Sequence, residues 1–292
     1  MRWTPWQYTG KEGFTLRGWH TGPSGKPLLH FIHGNGFCGR AYEPFLHHLA
    51  RDFDLWLFDA QGHGDSDHGG RFVGWNRNAE LALEALHAQG GAFAQVPVFA
   101  AGHSFGGVLT ALCLGEHPRR FQRAVLLDPV LMMPAMLFGL TMGELTGMSR
   151  LTPLARQARQ RRRHWASRDE ALANLQGRGT YKGWTDEALR AFVDHALQDD
   201  AAHGGVSLKC HPDREADIFG TGPDRLWSVL GRVRTPTQVL YATQSFPFVM
   251  ESTRHWQHIN DAVSAEAFEG GHCFMQTAPR EAATAVRQFL LA

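Results

Sequence analysis

A chain of 292 residues has room for one large α/β domain, or for such a core carrying an inserted subdomain. Its 43% hydrophobic and 20% charged residues are globular proportions and exclude a disordered or fibrous chain. A formal net charge of +1 gives no bulk attraction to nucleic acid or to an anionic membrane, so neither is expected as a partner.

No apolar run approaches the roughly 18 residues that a membrane-spanning helix needs. Met1 to Gly10 lacks both the apolar stretch and the small-residue cleavage site of a secretory signal. Cys38, Cys113, Cys210 and Cys273 are scattered without metal or disulfide spacing. The expected location is therefore cytoplasmic, and a homodimer is compatible with the sequence.

Two short β-like pieces, Arg2 to Tyr8 and Phe14 to His20, open the chain. Pro27 to Ile32 reads as a buried strand and runs into His33-Gly34-Asn35-Gly36-Phe37. Apolar spacing at Tyr42, Phe45, Leu46 and Leu49 predicts a helix over Arg40 to Arg51. Phe53 to Phe58 is the next strand, closing on Asp59 to Ser66, and Phe72 to Gln89 has helical period. A further strand ends in Gly102-His103-Ser104-Phe105-Gly106-Gly107, a helix follows from Val108, and Arg123 to Leu127 is again a strand. Such alternation means a parallel sheet with helices on both faces.

From Pro129 to about Arg232 strand signals vanish. This stretch has a Met-rich start (Met132, Met133, Met136, Phe138, Met142), a basic helix around Arg156 to Trp165, and helical pieces from Asp169 to Leu197. The α/β pattern resumes at Pro236 to Tyr241, with a helix at Met250 to Asn260, a short strand near Ala265 to Phe268, and a last helix from Pro279 to Leu290. An interruption of this length is too long for a plain loop and reads as a helical insertion.

Strand, Gly-x-Ser-x-Gly, helix is the context in which a serine stands exposed on a strained turn above a sheet. Around it lie His33-Gly34-Asn35-Gly36, Asp59 to Ser66, and Gly270-Gly271-His272-Cys273-Phe274, all in a fixed order. With these features the chain resembles an α/β-hydrolase: a mostly parallel central sheet with helices on both faces and a helical cap inserted after strand six. The resemblance covers the core, residues 1–129 and 233–292. The cap, residues 130–232, matches no subfamily of known substrate.

The resemblance implies a serine hydrolase with Ser104 as nucleophile, a histidine base and an orienting acid, in the chain order Ser, acid, His. Among seventeen histidines, His272 stands after the last core strand and is the expected base. His33 and His103 flank the site and are expected to hydrogen-bond locally. The family most often carries the acid after strand seven, but Leu240 to Pro247 has no carboxylate and Ser245 occupies that place. A minority carries it one strand earlier, where Asp128 ends Val125-Leu126-Leu127; Asp128 is therefore the expected acid. A turn-forming Asp-Pro is the alternative for that residue, and Glu251 is a weaker substitute for the acid. The oxyanion donors are expected to be the amides of Phe105 and Asn35, the Asn35 side chain being either a further donor or a turn former.

The implied reaction is cleavage of a carboxylic ester of a small or medium apolar substrate through an acyl-enzyme, with no cofactor and no metal. A serine at the elbow argues against the dehalogenases and epoxide hydrolases of this fold, which need an aspartate there. The same triad serves C–C bond, thioester and lactone hydrolysis, and a ligand-binding protein on a hydrolase fold would carry a broken triad. Two features stay open. The Met-rich start of the cap either lines an apolar pocket or packs the cap. The cluster Arg156, Arg159, Arg161, Arg162 and Arg163 is either a solvated helix face or binds an acidic substrate or surface. His63 and His68 with Asp59, Asp65 and Asp67 lack the spacing of a metal site, and Asp59 to Ser66 reads as a structural turn.

Overall fold

A computed structural model describes residues 1–148 and 152–292. Eight strands form one sheet: β1 (Trp3–Thr9), β2 (Thr15–Thr21), β3 (Leu28–Ile32), β4 (Asp54–Asp59), β5 (Val98–His103), β6 (Ala124–Leu127), β7 (Thr237–Gln244) and β8 (Val263–Gly271). Their spatial order is β1-β2-β4-β3-β5-β6-β7-β8. β1 and β2 pair antiparallel, β2 pairs antiparallel with β4, and every later pairing is parallel.

The parallel strands are apolar on both faces because helices cover both. Leu29, Phe31, Leu57 and Leu127 point into one cluster, and Leu28, Ile32, Phe58 and Leu126 into the other. The first face is covered by α1 (Glu43–Leu49), α11 (Phe274–Thr277) and α12 (Pro279–Leu290). The second is covered by α2 (Trp75–Gln89), α3 (Phe105–Glu116) and α10 (Pro247–Ile259). α3 is buried from Phe105 to Gly115, as befits a helix held between the sheet and other helices.

Between Leu127 and Thr237 the chain leaves the sheet. The described residues there form α4 (Pro134–Thr146), α5 (Pro153–Arg159), α6 (Arg168–Leu175), α7 (Asp186–Ala196), α8 (Pro212–Phe219) and α9 (Leu226–Leu230). Thr152, Ser167 and Thr185 cap α5, α6 and α7 by accepting backbone N–H groups, which sets where those helices start. The insertion is not wholly helical. His164–Trp165, Val206–Leu208 and Leu197–Asp199 make a small antiparallel sheet, in that order. Strands of two or three residues are too short to carry an alternating pattern, which is why the sequence hides them.

The insertion packs through aromatic contacts onto the loop after β3. Phe37 lies 5.7 Å from the rings of both Trp184 and Phe192, edge-on to the latter. Phe37, Tyr42, Trp165, Trp184 and Phe192 share one buried cluster with the sheet.

Candidate active site

Parallel register sets the ends of β5 and β6 level, and β7 and β8 run past them. His103 at the end of β5 pairs with Leu127 at the end of β6, so Ser104 and Asp128 are the next residues on adjacent strands. Leu127 pairs in turn with Leu240 of β7, and Gln244 of β7 with Gly271 of β8, directly before His272. The carboxyl edge of an open parallel sheet is where ligands bind in this class of fold.

Ser104 has φ +55°, a left-handed conformation that side chains avoid, and donates its N–H to Leu127 C=O at 3.0 Å. The turn is possible because Gly106 has no side chain: a Cβ there would stand 2.3 Å from the carbonyl oxygen of Ile32. Asp128 is the other strained residue at this edge, with φ +43°.

Ser104, His272 and Asp128 are brought together. His272 Nε2 is 2.9 Å from Ser104 Oγ, and His272 Nδ1 is 2.5 Å from Asp128 Oδ2. Asp128 is fully buried, and its carboxylate is held from β7: Ala242 N–H donates to Oδ1 at 2.8 Å, and the Ser245 hydroxyl donates to Oδ2. A buried carboxylate needs such donors. Ser245, at the place where a carboxylate is absent, is therefore a partner of the one on the neighbouring strand. Glu251 is exposed on α10 and takes no part in this arrangement.

The two flanking histidines, expected to bond locally, both reach residues distant in the chain. His33 bonds locally only through Nδ1, to Gly34 C=O, while its Nε2 accepts the N–H of Ala60, 27 residues on. His103 makes longer-range bonds. Its Nε2 donates to the backbone carbonyl of His272 at 2.9 Å, and its Nδ1 accepts the Tyr42 hydroxyl proton at 2.7 Å. Tyr42 in turn accepts the Gly34 N–H at 3.0 Å. Burial holds the His103 pKa well below the usual histidine range, so a neutral ring lies 4.8 Å from that of His272. In the sequence Tyr42 reads as one apolar helix position among several, so its hydroxyl gives no signal.

Phe105 supplies the first N–H of α3, which has no intrahelical carbonyl to meet. Asn35, Phe105, Ser104 and His272 border the same cavity, of about 920 Å³. The Asn35 side chain is committed elsewhere: its Nδ2 donates to Glu215 C=O at 3.0 Å. Of the two donors considered for Asn35, this leaves the backbone amide. Gly36, at φ +80°, lets Glu215 approach, since a Cβ there would lie 3.1 Å from its carboxyl group.

Asp59 accepts the N–H groups of Gly39 and Asp65 at 2.7 and 3.2 Å, and burial raises its pKa to about 7. His63 accepts the Gly36 N–H at 3.0 Å, and burial pushes its pKa well down. Among the described residues no group of three His, Cys, Asp or Glu side chains is placed to hold a metal ion, and no helix is long and apolar enough to cross a membrane.

The Met-rich start of the insertion divides. Met132 and Met136 line the cavity, whereas Phe138 is 69% exposed on the outer surface and Met142 is exposed too. The arginine cluster divides as well. α5 ends at Arg159, and Arg161 turns inward, donating to Glu215 Oε2 at 2.7 Å and to the Tyr181 hydroxyl. Its neighbour Arg162 reaches Glu170 at 2.6 Å.

A family model described as serine aminopeptidase, S33 matches residues 23–178, more than half of the chain. The chain belongs to this family of α/β-hydrolases, and it is a hydrolase. Monoglyceride lipase of Mus musculus is 34% identical over 117 residues, and that of Rattus norvegicus over 116. Each match spans 38% of this chain and 38% of the relative's own length. Among solved structures, E-2-(acetamidomethylene)succinate hydrolase superposes over all of both chains with a TM-score of 0.76 at 17% identity. The thioesterase domain from the curacin biosynthetic pathway gives 0.74 at 16%, covering 98% of this chain and all of its own. An α/β-hydrolase from Novosphingobium aromaticivorans gives 0.72 at 21%, covering 99% and 98%. At such identities these structures show the shared fold.

Proposed function

We propose that this hydrolase is a serine esterase that cleaves a carboxylic ester with an apolar part through an acyl-enzyme. The observation that carries the reading is the unbroken chain Ser104 Oγ, His272 Nε2, His272 Nδ1, Asp128 Oδ2, with contacts of 2.9 and 2.5 Å. Ser104 attacks the carbonyl carbon while His272 Nε2 takes its proton; Asp128 holds the Nδ1–H and stabilises the imidazolium. The amides of Phe105 and Asn35 donate to the tetrahedral oxyanion. The alkoxide leaves with the proton from His272. Water, deprotonated by the same nitrogen, then frees the acid and restores Ser104.

Neutral His103 fits this cycle, because it places no second positive charge beside the imidazolium while fixing the His272 backbone. The apolar part of the cavity, with Trp75, Val130, Met132, Leu140, Ile218 and Phe246, supports an apolar acyl or alkyl group. The name of the partial relatives, monoglyceride lipase, supports an ester as substrate. Residues 130–232 act as a cap on the core formed by 1–129 and 233–292.

The test is fluorophosphonate labelling with a panel of 4-nitrophenyl esters of rising chain length, with thioester, lactone and C–C substrates beside them. Labelling of the wild type and not of Ser104→Ala, with ester turnover, is the expected result. An unlabelled wild type that turns over no ester would end the reading.

A further inference from the structure

The lining of this cavity also has a polar and cationic part. It includes Arg161, Arg162 and Arg178, and Glu215 is the one carboxylate among the described lining residues. Two of the three guanidinium groups are already matched, Arg161 by Glu215 and Arg162 by Glu170. Arg178 has no ion pair and no side-chain hydrogen bond to any described residue. Gln157 and Gln160, also in the lining, likewise spend their side-chain amides on no described residue.

Arg178 is also held in place by its backbone. Its N–H donates to Leu175 C=O at 3.1 Å and its C=O accepts the Tyr181 N–H at 2.9 Å. Leu175 and Tyr181 are both buried, so the turn between them is anchored while the side chain remains exposed to solvent at the cavity. An unmatched cation at the wall of a partly apolar cleft concentrates field and attracts an anion. A charged donor gains most from a charged acceptor, and guanidinium fits carboxylate and phosphate oxygens.

We propose that Arg178 forms a subsite for an anionic group of the substrate, a carboxylate or a phosphate. The substrate is then an amphiphilic ester: its apolar part lies toward Met132 and Trp75, and its anion toward Arg178. This rests on the reading of the site as an esterase.

Binding is measured on Ser104→Ala by calorimetry, so that turnover plays no part. The probes are 4-nitrophenyl octanoate, the mono-4-nitrophenyl ester of suberic acid (anion in the acyl chain) and 4-carboxyphenyl octanoate (anion in the leaving group). One of the two anionic esters is expected to bind about tenfold more tightly than the neutral one, and which of them does so tells where the anion lies. The ratio of anionic to neutral affinity should fall to about one or below in Arg178→Glu and be partly kept in Arg178→Lys. Neither anionic ester binding more tightly, or a ratio that Arg178→Glu does not change, overturns the subsite. Turnover of the same esters by the wild type is read separately: if Ser104 is unlabelled and no ester is cleaved, the esterase reading fails whatever the binding ratio shows.

Discussion

The Ser245 hydroxyl, at the end of β7, donates to Oδ2 of Asp128 at the end of β6, and Ser245 Oγ stands 3.4 Å from His272 Nδ1. Two strand ends thus converge on one imidazole nitrogen, with a carboxylate on one and a hydroxyl on the other. The second strand end is close enough to serve if the acid were moved there.

Asp128→Asn should lower kcat/KM for an ester by on the order of 10⁴-fold, the scale seen when a serine protease loses its triad carboxylate and the imidazole takes the wrong tautomer. Adding Ser245→Asp to Asp128→Asn should recover at least about tenfold, because the new carboxylate starts near Nδ1. Steady-state kinetics on the three proteins decide it. A single Asp128→Asn variant nearly as fast as the parent would place the acid elsewhere.

Ser104→Ala should remove nearly all ester turnover and leave secondary structure unchanged, as circular dichroism would show. The same change should lose no stability, since among the described residues Ser104 Oγ bonds only to His272, at the cavity.

The cavity and the outer surface predict opposite behaviour for two side chains of the insertion. Met132→Ala should raise KM for long-chain esters several-fold more than for acetate, because it removes buried wall. Phe138→Ala should leave the chain-length profile as it was, since that ring faces solvent. Matching profiles for Met132→Ala and the parent would take Met132 out of substrate contact.

Tyr42→Phe removes the acceptor of the Gly34 N–H and the donor to His103 Nδ1 at once. Two buried polar groups lose their partner, so stability should fall by about 1–3 kcal/mol in a urea titration. A loss of kcat beyond the loss of stability would show that the chain from Gly34 to the His272 carbonyl positions the imidazole.

Stability should also fall as the solution is acidified. Burial lowers the pKa of His30 to about 3, of His33 to about 4, and of His63 and His103 well below the usual range. These rings are neutral in the fold and take up protons near pH 6.5 once unfolded. Below that pH the unfolded chain binds more protons, so their contribution is complete above about pH 6.5 and is lost as the pH falls toward 4 and 3. Each contributes a slope on the order of 1 kcal/mol per pH unit. Asp59, raised to about 7, acts in the opposite sense between about pH 7 and 4 and offsets about one of them. Urea midpoints at pH 7.5, 6 and 5 should decline in that order; a flat series would mean that these rings are charged or hydrated in the fold.

Much of the site was legible because its parts stand next to punctuation. Ser104 sits between glycines at a strand-to-helix turn, His272 follows Gly270-Gly271, and Asp128 ends an apolar run before Pro129. The same logic placed the core strands along the chain, though not their order in the sheet. What stayed hidden depends on partners far apart in the chain. Ser245 reads as a missing carboxylate until β6 is seen beside it, and Tyr42 reads as packing until His103 is above it. Arg161 looks solvated by its neighbours in sequence, and only the fold brings Glu215, 54 residues on, against it. Arg178 gave no signal at all, since one arginine between glycines has no pattern.

The left-handed backbone at Ser104 and Asp128 has a consequence for how such a sequence drifts. Each non-glycine residue held at positive φ costs on the order of 1–3 kcal/mol that a glycine would relieve. The two least comfortable positions of the sheet edge therefore coincide with the proposed nucleophile and its acid. Selection for thermal endurance alone would favour glycine at position 104, whereas the strain at Asp128 is offset by the Ala242 N–H and the Ser245 hydroxyl that its carboxylate accepts. On the proposed reading, position 104 is where the fold carries strain for the sake of a hydroxyl, and position 128 is where strain and hydrogen bonding balance.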